Sequence, residues 1–510
     1  MIKRLSAILL VMAAGLTPVF GQTPESLEMD KTSALWFNST NAAGMTLTSI
    51  APFEAVDVSY NIADGNYRRY TDGNQKTFAV SAEGSSSLGG GKVWGRFSYN
   101  NLTDRDTKFN AMFLNLDEDN PFFVADEELS WWKKQKYELE AKASTPVLWN
   151  HVVFGVDASY YTESGAKQID PRGYGSEYGL VVKPAALFTA GRHSFGLALD
   201  YEKGNMRMTP INNAYMNSKT AFIMHGLGNS EATVISLVTS GVGQVFDKKN
   251  QYGGSVQYGF TDGAFKVLAD FRGSMRAWEF SHTPNRPELI GSTNRMEVGG
   301  KIQLLHDGDK YLHAFVVDGS MKNTNGIEYI QVFNKDYEVQ QYETVGQNVK
   351  SKYSHNEALV SYDIFRKGGE SFNWTAGASV EWYSRNDRYL IPESSYNCSH
   401  IYAEGHGRKQ FSLRKVALTI GAKAGYCLGM DGDYTYTGSS AKSVIVTEYF
   451  PHELEYQQAS WWCAGAGLNI TFPISAKTRM FVGAEAEAIK TNNTLLDRRN
   501  IAFIKTGFIF

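Results

Sequence analysis

Residues 148–161 read Leu-Trp-Asn-His-Val-Val-Phe-Gly-Val-Asp-Ala-Ser-Tyr-Tyr. Val152, Phe154, Val156, Ala158 and Tyr160 point one way, while His151, Val153, Gly155, Asp157 and Ser159 point the other. Period two means a strand, because successive side chains leave a pleated backbone on opposite sides. A strand that crosses a bilayer at the usual tilt needs about 9–11 residues, and this segment is long enough. The same split between an apolar and a polar face recurs in residues 251–261 and 416–426. It runs from about residue 53 to the end of the chain.

The connections carry as much information as the strands. Short turns fall near 88–91, 144–147, 190–192, 261–263, 307–309, 366–369, 408–410 and 474–476. Between them lie longer polar segments: 62–76, 102–131, 162–176, 208–249, 281–291, 325–352, 386–396, 431–452 and 491–498. Short and long connections alternate, as they do where tight periplasmic turns oppose long extracellular loops. The fold expected is therefore all-β: a transmembrane antiparallel β-barrel of roughly 18 strands with both termini in the periplasm. A soluble sandwich has no reason to gather every long loop at one end. Trp374 and Trp382 share a strand face eight residues apart. At about 3.3 Å per residue and a tilt near 40° they lie roughly 20 Å apart along the membrane normal, a spacing suited to two aromatic girdles.

Composition agrees. Aromatics make up 13% of the chain, with 28 Tyr, 29 Phe and 10 Trp, beside 48 Gly and only 13 Pro. Mean hydropathy is nevertheless −0.32, as expected when each strand shows half its residues to lipid and half to water. After the N-terminus no apolar run is long enough for a membrane-spanning helix. The first residues read as an export signal: Lys3 and Arg4, an apolar run over 5–16, then small residues at Val19 and Gly21 ahead of Gln22. The domain plan is thus 1–21 signal peptide, 22–52 an N-terminal periplasmic or lumenal segment, and 53–510 the barrel.

If the apolar faces meet lipid, the opposite faces line the lumen. That parity puts Arg96, Lys136, Glu138, Asp270, Arg272, Glu297, Lys301, Asp318, Glu381, Lys423, Arg479, Glu485 and Glu487 inside. Such residues either line a conduit or form salt bridges that hold a wide barrel open. Two segments could obstruct the lumen. Residues 22–52, with Ala34-Leu35-Trp36-Phe37 and Asn41-Ala42-Ala43-Gly44-Met45, are too apolar for a free tail. The 208–249 segment holds Phe222, Met224, His225 and Leu227 in a greasy run, a candidate constriction loop or a surface for a partner.

Signals for chemistry are weak. The ten histidines form no compact ligand pair, so no metal and no cofactor is expected. The clusters Asp117-Glu118-Asp119 and Asp431-Gly432-Asp433 read as solvated loop charges. No Ser/His/Asp arrangement or nucleophile elbow stands out, so no enzyme is expected. Cys398, Cys427 and Cys463 are too few and scattered for a disulfide framework; Cys427 and Cys463, on neighbouring strands and facing the lumen, are either a bridge or unpaired thiols. A net charge of −3, from 50 basic and 53 acidic residues, gives no sign of nucleic acid as a partner.

The signal peptide, the Trp36…Asn41-Ala42-Ala43-Gly44 segment, the hairpin ladder and the Phe508-Ile509-Phe510 ending together resemble the monomeric outer-membrane barrels of Bacteroidota-type bacteria, of an uncharacterised family. An aromatic-x-aromatic terminus resembles the signal read by the barrel-assembly machinery, which is the partner it implies through Phe510, with outer-membrane lipid around the wall. A TonB-dependent receptor would need a plug domain of more than about a hundred residues before a larger barrel, and it is not what the chain looks like. A fatty-acid-transporter-type barrel, whose N-terminus forms a hatch, is compatible with 22–52. The expectation is a porin-like or transporter-like conduit, or a transport accessory, for a small solute in the cell outer membrane. The other reading is a plugged, non-conducting platform that docks a receptor, secretion component or surface partner.

Overall fold

The computed structural model describes residues 22–510 apart from 66–67, 69–72, 113–118, 215–216, 337–340, 370, 414–415, 431 and 494–495. The export signal, Asp117, Glu118 and Asp431 lie outside the described residues. In chain order the strands begin β1 (Phe53–Gly65), β2 (Asn74–Leu88), β3 (Gly91–Thr107), β4 (Val124–Asp126), β5 (Ser130–Ser144) and β6 (Val152–Lys167). Next come β7 (Tyr174–Ala190), β8 (His193–Met208), β9 (Lys219–Gly226), β10 (Asn229–Ile235), β11 (Gln244–Asp262) and β12 (Phe265–Thr283). They continue with β13 (Glu288–Asp307), β14 (Tyr311–Asn334), β15 (Gln341–Gly368), β16 (Ser371–Tyr389) and β17 (Ser394–Leu413). The series ends with β18 (Val416–Gly429), β19 (Asp433–Tyr436), β20 (Trp461–Pro473), β21 (Arg479–Thr491) and β22 (Arg498–Ile509).

Eighteen of these form one closed antiparallel barrel. Each pairs with the next, passing over β4, over β9 and β10, and over β19. The seam is β1 against β22, from Ala55↔Ile509 to Gly65↔Arg499. Phe510 extends it, its N–H donating to the Glu54 carbonyl at 2.8 Å. Closure leaves no unpaired edge in the hydrocarbon, where nothing could satisfy one.

Burial along β6 shows which face meets lipid. Phe154, Val156 and Tyr160 are 45%, 40% and 42% exposed on the outside, whereas Val153 is 0% exposed because it packs against chain inside the bore. On β16 the same parity puts Trp382 and Val380 outside, and Trp374 meets the exposed Tyr311 ring at 6.3 Å.

Two connections differ from the sequence reading. Residues 408–410 are not a turn; they lie inside β17, which runs to Leu413. The run looks turn-like because His406 and Arg408 face the lumen and pair with Asp363 and Glu28. Most of 325–352 is strand rather than loop. Pairing with β13 ends at Glu328 and pairing with β16 begins at Ser351. Beyond those points β14 and β15 project as a hairpin tied to β13 by side chains, through Tyr329 to Ser292 and Gln331 to Leu289.

Candidate functional site

Residues 22–52 lie within the bore. Thr23-Pro24-Glu25-Ser26 starts a helix, α1 (Pro24–Ser33). The Ser26 N–H donates to the Thr23 hydroxyl at 3.0 Å, the Thr23 N–H donates to the Ser26 hydroxyl at 2.8 Å, and Pro24 occupies the first turn, where its missing N–H costs nothing. Two short 3₁₀ turns follow, Leu35–Asn38 and Ala42–Leu47. The segment reaches walls all round the barrel. Lys31 bridges to Glu83 on β2 at 2.6 Å. Arg408 on β17 grips the Glu28 carboxylate with two N–H donors at 2.7 and 2.5 Å. Thr40 donates to Asp270 on β12 at 2.6 Å, and Asn41 donates to Gln257 on β11 at 2.9 Å. Close approach depends on two wall glycines. A Cβ on Gly155 would stand 2.3 Å from the Ala43 nitrogen, and one on Gly259 would stand 2.7 Å from the Trp36 ring. Burial pushes the Asp30 carboxyl up from its ordinary range, with the charge of Asp307 adding to the effect.

At the other end, the long loops fold into the mouth. β9 pairs with β10 and with β4 in a separate three-stranded sheet. Its side chains join Phe109, Met112 and Phe122 from the β3–β5 connection and Ile445, Tyr449 and Phe450 from the β18–β20 connection. Wall residues complete this apolar core, among them Trp132, Met206, Phe280, Tyr353, Tyr389 and Tyr396. Each fully buried large side chain there is worth about 1.5–3 kcal/mol relative to exposure, so the mouth is filled by a folded unit rather than by draped loops.

Buried charges fasten that unit to the wall. Asp126 on β4 meets Lys167 on β6 at 2.5 Å, with side chains 0% and 1% exposed. Asp119 meets His355 on β15 at 2.5 Å, and the other ring nitrogen of His355 meets Asp387 on β16 at 3.0 Å. Burial opposes the charge on Asp119, yet the hydrogen bond and charge of His355 hold its carboxyl below the usual range. Burial pushes the Asp126 carboxyl up despite Lys167, and it pushes the His225 imidazole down.

The outer core does not use the wall evenly. Among the described residues it takes side chains from β5, β8, β11–β13 and β15–β17, and its longest bare stretch is the contiguous run β18, β20, β21, β22, β1, β2 and β3, with β6, β7 and β14 bare elsewhere. Along this arc, beside α1, runs a cavity of about 720 Å³. Lumen-facing glycines such as Gly421, Gly465, Gly467 and Gly483 hollow its wall. Above it the mouth is spanned by a polar contact. Arg68, in the β1–β2 connection, bridges at 2.6 Å to Glu453 of a helix, α2 (Phe450–Gln458), and lies 5.3 Å over the Tyr456 ring.

Residues 42–510 match the model of a family described as a family of unknown function, DUF6850. The chain belongs to that family. No curated protein matches it in sequence. Among solved structures it is similar to BauA, the ferric preacinetobactin receptor of Acinetobacter baumannii, at 6% identity and a TM-score of 0.39, covering 91% of this chain and 80% of that one. It is also similar to the ferric yersiniabactin uptake receptor FyuA of Yersinia pestis, at 8% identity and a TM-score of 0.38, covering 90% and 80%. The outer membrane transporter YddB of Escherichia coli matches at 6% identity and a TM-score of 0.38, covering 89% and 81%. At such scores the likeness reaches no further than a barrel.

In this DUF6850 chain the sequence-predicted lumen residues fall into groups. Asp270 holds the N-terminal segment through Thr40. Across the bore wall, Lys136 pairs with Glu138 at 2.6 Å, Arg272 with Asp318 at 3.2 Å, and Glu297 with Arg295 at 3.2 Å. Lys301 stands between Asp270 and Asp318 in register, and Glu381 stands opposite Tyr402. Arg96 is exposed on the same face of β3 as Trp94, which packs against Phe37 of the N-terminal segment. Lys423, Glu485 and Glu487 line the cavity, with Lys423 2.8 Å from Glu487. Arg479 begins β21, opposite Ile509. Phe222, Met224 and Leu227 are buried in the outer core, and the His225 ring meets Phe122 edge-on. The three cysteines are buried and free, with Cys463 3.3 Å from the Tyr402 hydroxyl. Sequence reasoning missed Glu25, Glu28, Asp126, Lys167 and His355. The Thr-Pro-Glu-Ser helix start was the one signal that could have found the first two.

Proposed function

We propose that this chain is an outer-membrane conduit for a small solute, closed in this conformation, whose passage follows the β18–β20–β21–β22–β1 arc. The observation that carries the reading is the coincidence of two independent features. The outer apolar core leaves this arc bare, and the cavity beside α1 lies along it. Opening then requires that the Lys31 and Arg408 bridges and the apolar contacts of Leu35, Trp36, Phe37 and Met45 with the wall give way below, and the buried Arg68–Glu453 pair above, while the larger outer core stays folded. The reading includes export by residues 1–21 and assembly through the strand ending in Phe510. Planar-bilayer recording tests it. Full-length protein should be mostly closed, and a variant lacking residues 23–50, in which the Arg68–Glu453 contact still spans the arc, should open more often.

A second reading has its own support. A folded outer unit and the projecting β14–β15 hairpin suit a docking platform. A folded 23–50 deletion that stays silent would favour it over the conduit.

A further inference from the structure

The cavity beside α1 is built from paired and unpaired charges, and the pairing is uneven. Its four basic side chains each have a carboxylate partner. Two of these pairs, Lys31–Glu83 and Arg408–Glu28, are described above, as is Lys423–Glu487. Lys505 meets Asp57 at 3.3 Å. The lining imidazole, His406, is engaged by Asp363 at 2.9 Å. Two carboxylates remain, Glu25 and Glu485. Glu25 is 4% exposed. Its Oε1 accepts from Thr419 at 2.8 Å and Asn469 at 2.7 Å, while its Oε2 has no partner among the described residues. Glu485 has no ion pair among the described residues. It lies along the wall because Gly467 opposite has no side chain; a Cβ there would stand 2.8 Å from Glu485 Cγ.

A buried carboxylate oxygen without a donor is unfavourable unless something supplies one. Apolar surface also lines the cavity: Leu27 from α1, with Phe481, whose ring lies 5.6 Å from the Lys505 ammonium, and Phe503, opposite Glu485 in register, from the wall. A cavity of this size suits a small molecule. We infer that it binds a small organic cation, an ammonium group carrying an apolar or aromatic body, with the ammonium between Glu25 and Glu485 and the body against Phe481 and Phe503. This deepens the conduit reading and rests on it for its role, since it names the class of solute that the arc would carry. Anions are disfavoured because no basic group there is free to meet one. A neutral hydroxyl donates one hydrogen bond but brings no positive charge to the two carboxylates, so it is held much more weakly.

Isothermal titration of phenethylammonium chloride into the full-length protein in detergent tests this, with 2-phenylethanol and 3-phenylpropionate as neutral and anionic probes of similar shape. The cation should bind saturably, and the other two should not. Glu485→Gln should weaken the cation at least tenfold while heat-modifiable gel mobility stays unchanged. Glu25→Gln should do the same, because its amide oxygen can still accept from Thr419 and Asn469. Equal binding of 2-phenylethanol, or full cation affinity in a folded Glu485→Gln variant, overturns the inference. Cation binding by a protein whose 23–50 deletion never conducts would uphold the site and remove the conduit; conduction without cation binding would do the reverse.

Discussion

At the outer mouth, Phe122, Met224, Tyr353 and Tyr449 share one continuous apolar core, and Asp126–Lys167 is buried within hydrogen-bonding distance. At the inner end, the helix Pro24–Ser33 is held by Lys31–Glu83 and Glu28–Arg408, pairs whose side chains keep 20–41% of their surface. The same barrel thus closes one end with a folded unit fastened by buried charges and the other with a segment that joins partly solvated ion pairs to two smaller apolar clusters, around Trp36 and around Phe37. Removing one partner of a buried pair strands a charge, at a cost of about 3–5 kcal/mol. A partly solvated pair is worth only about 0–1 kcal/mol. The difference teaches which end moves more readily: the outer unit is held by a larger core and by buried pairs, and the inner segment, with smaller clusters and partly solvated pairs, is the more releasable.

Substituting the lysine of each pair should therefore give unequal results. Lys167→Met should loosen the outer unit by about 3–5 kcal/mol, and Lys31→Met should cost the inner segment about 0–1 kcal/mol. Limited proteolysis of the 108–129 and 209–243 connections, beside that of residues 22–52, measures both. Equal losses would break the comparison.

The contrast also presumes one wall with lipid outside and chain within. Val156→Arg, on the lipid face at mid-strand, should cost about 2–4 kcal/mol and impair assembly, whereas Ser159→Arg on the lumen face should be tolerated. Heat-modifiable mobility of the two variants reports this, and indistinguishable behaviour would refute the face assignment.

A smaller effect sharpens the inner half. Gly155→Val leaves the outer unit alone but drives side-chain atoms into Ala43; overpacking of this kind typically costs about 1–3 kcal/mol. The N-terminal segment should lift off, seen as maleimide labelling of an added Ser33→Cys, while the outer connections stay protease-resistant. Unchanged labelling would mean that the segment is seated by something other than its contact with that glycine.

Much of this was legible in the sequence, for a physical reason. Strand alternation as in 148–161 is local, and a barrel repeats it, so the wall and its lumen face could be read residue by residue. The greasy runs Leu35-Trp36-Phe37 and Phe222-Ile223-Met224 also showed that both segments had to be sequestered. What could not be read was what they pack against. Asp119 meets His355 from a connection on the far side of the sequence, and Lys167 ends a strand with nothing nearby to show that it faces Asp126. The N-terminal helix hid for a different reason. Most of its length lies against a charged lumen, with only Leu27 and Met29 reaching apolar clusters, so Glu25, Glu28 and Lys31 leave it no continuous apolar stripe. Residues 408–410 misled in the same way, since polar lumen residues beside Gly405 and Gly407 look like a turn.

The central claim is that solute passes along the arc the outer core leaves bare, and one recording tests it. In protein lacking residues 23–50, Gly467→Trp places a large ring on that arc, while Gly299→Trp places the same ring on β13, a strand that feeds Ile290 into the outer core. The account predicts that single-channel conductance falls sharply with Gly467→Trp and is unchanged with Gly299→Trp. Equal conductance in the two variants, or a larger fall with Gly299→Trp, would contradict it.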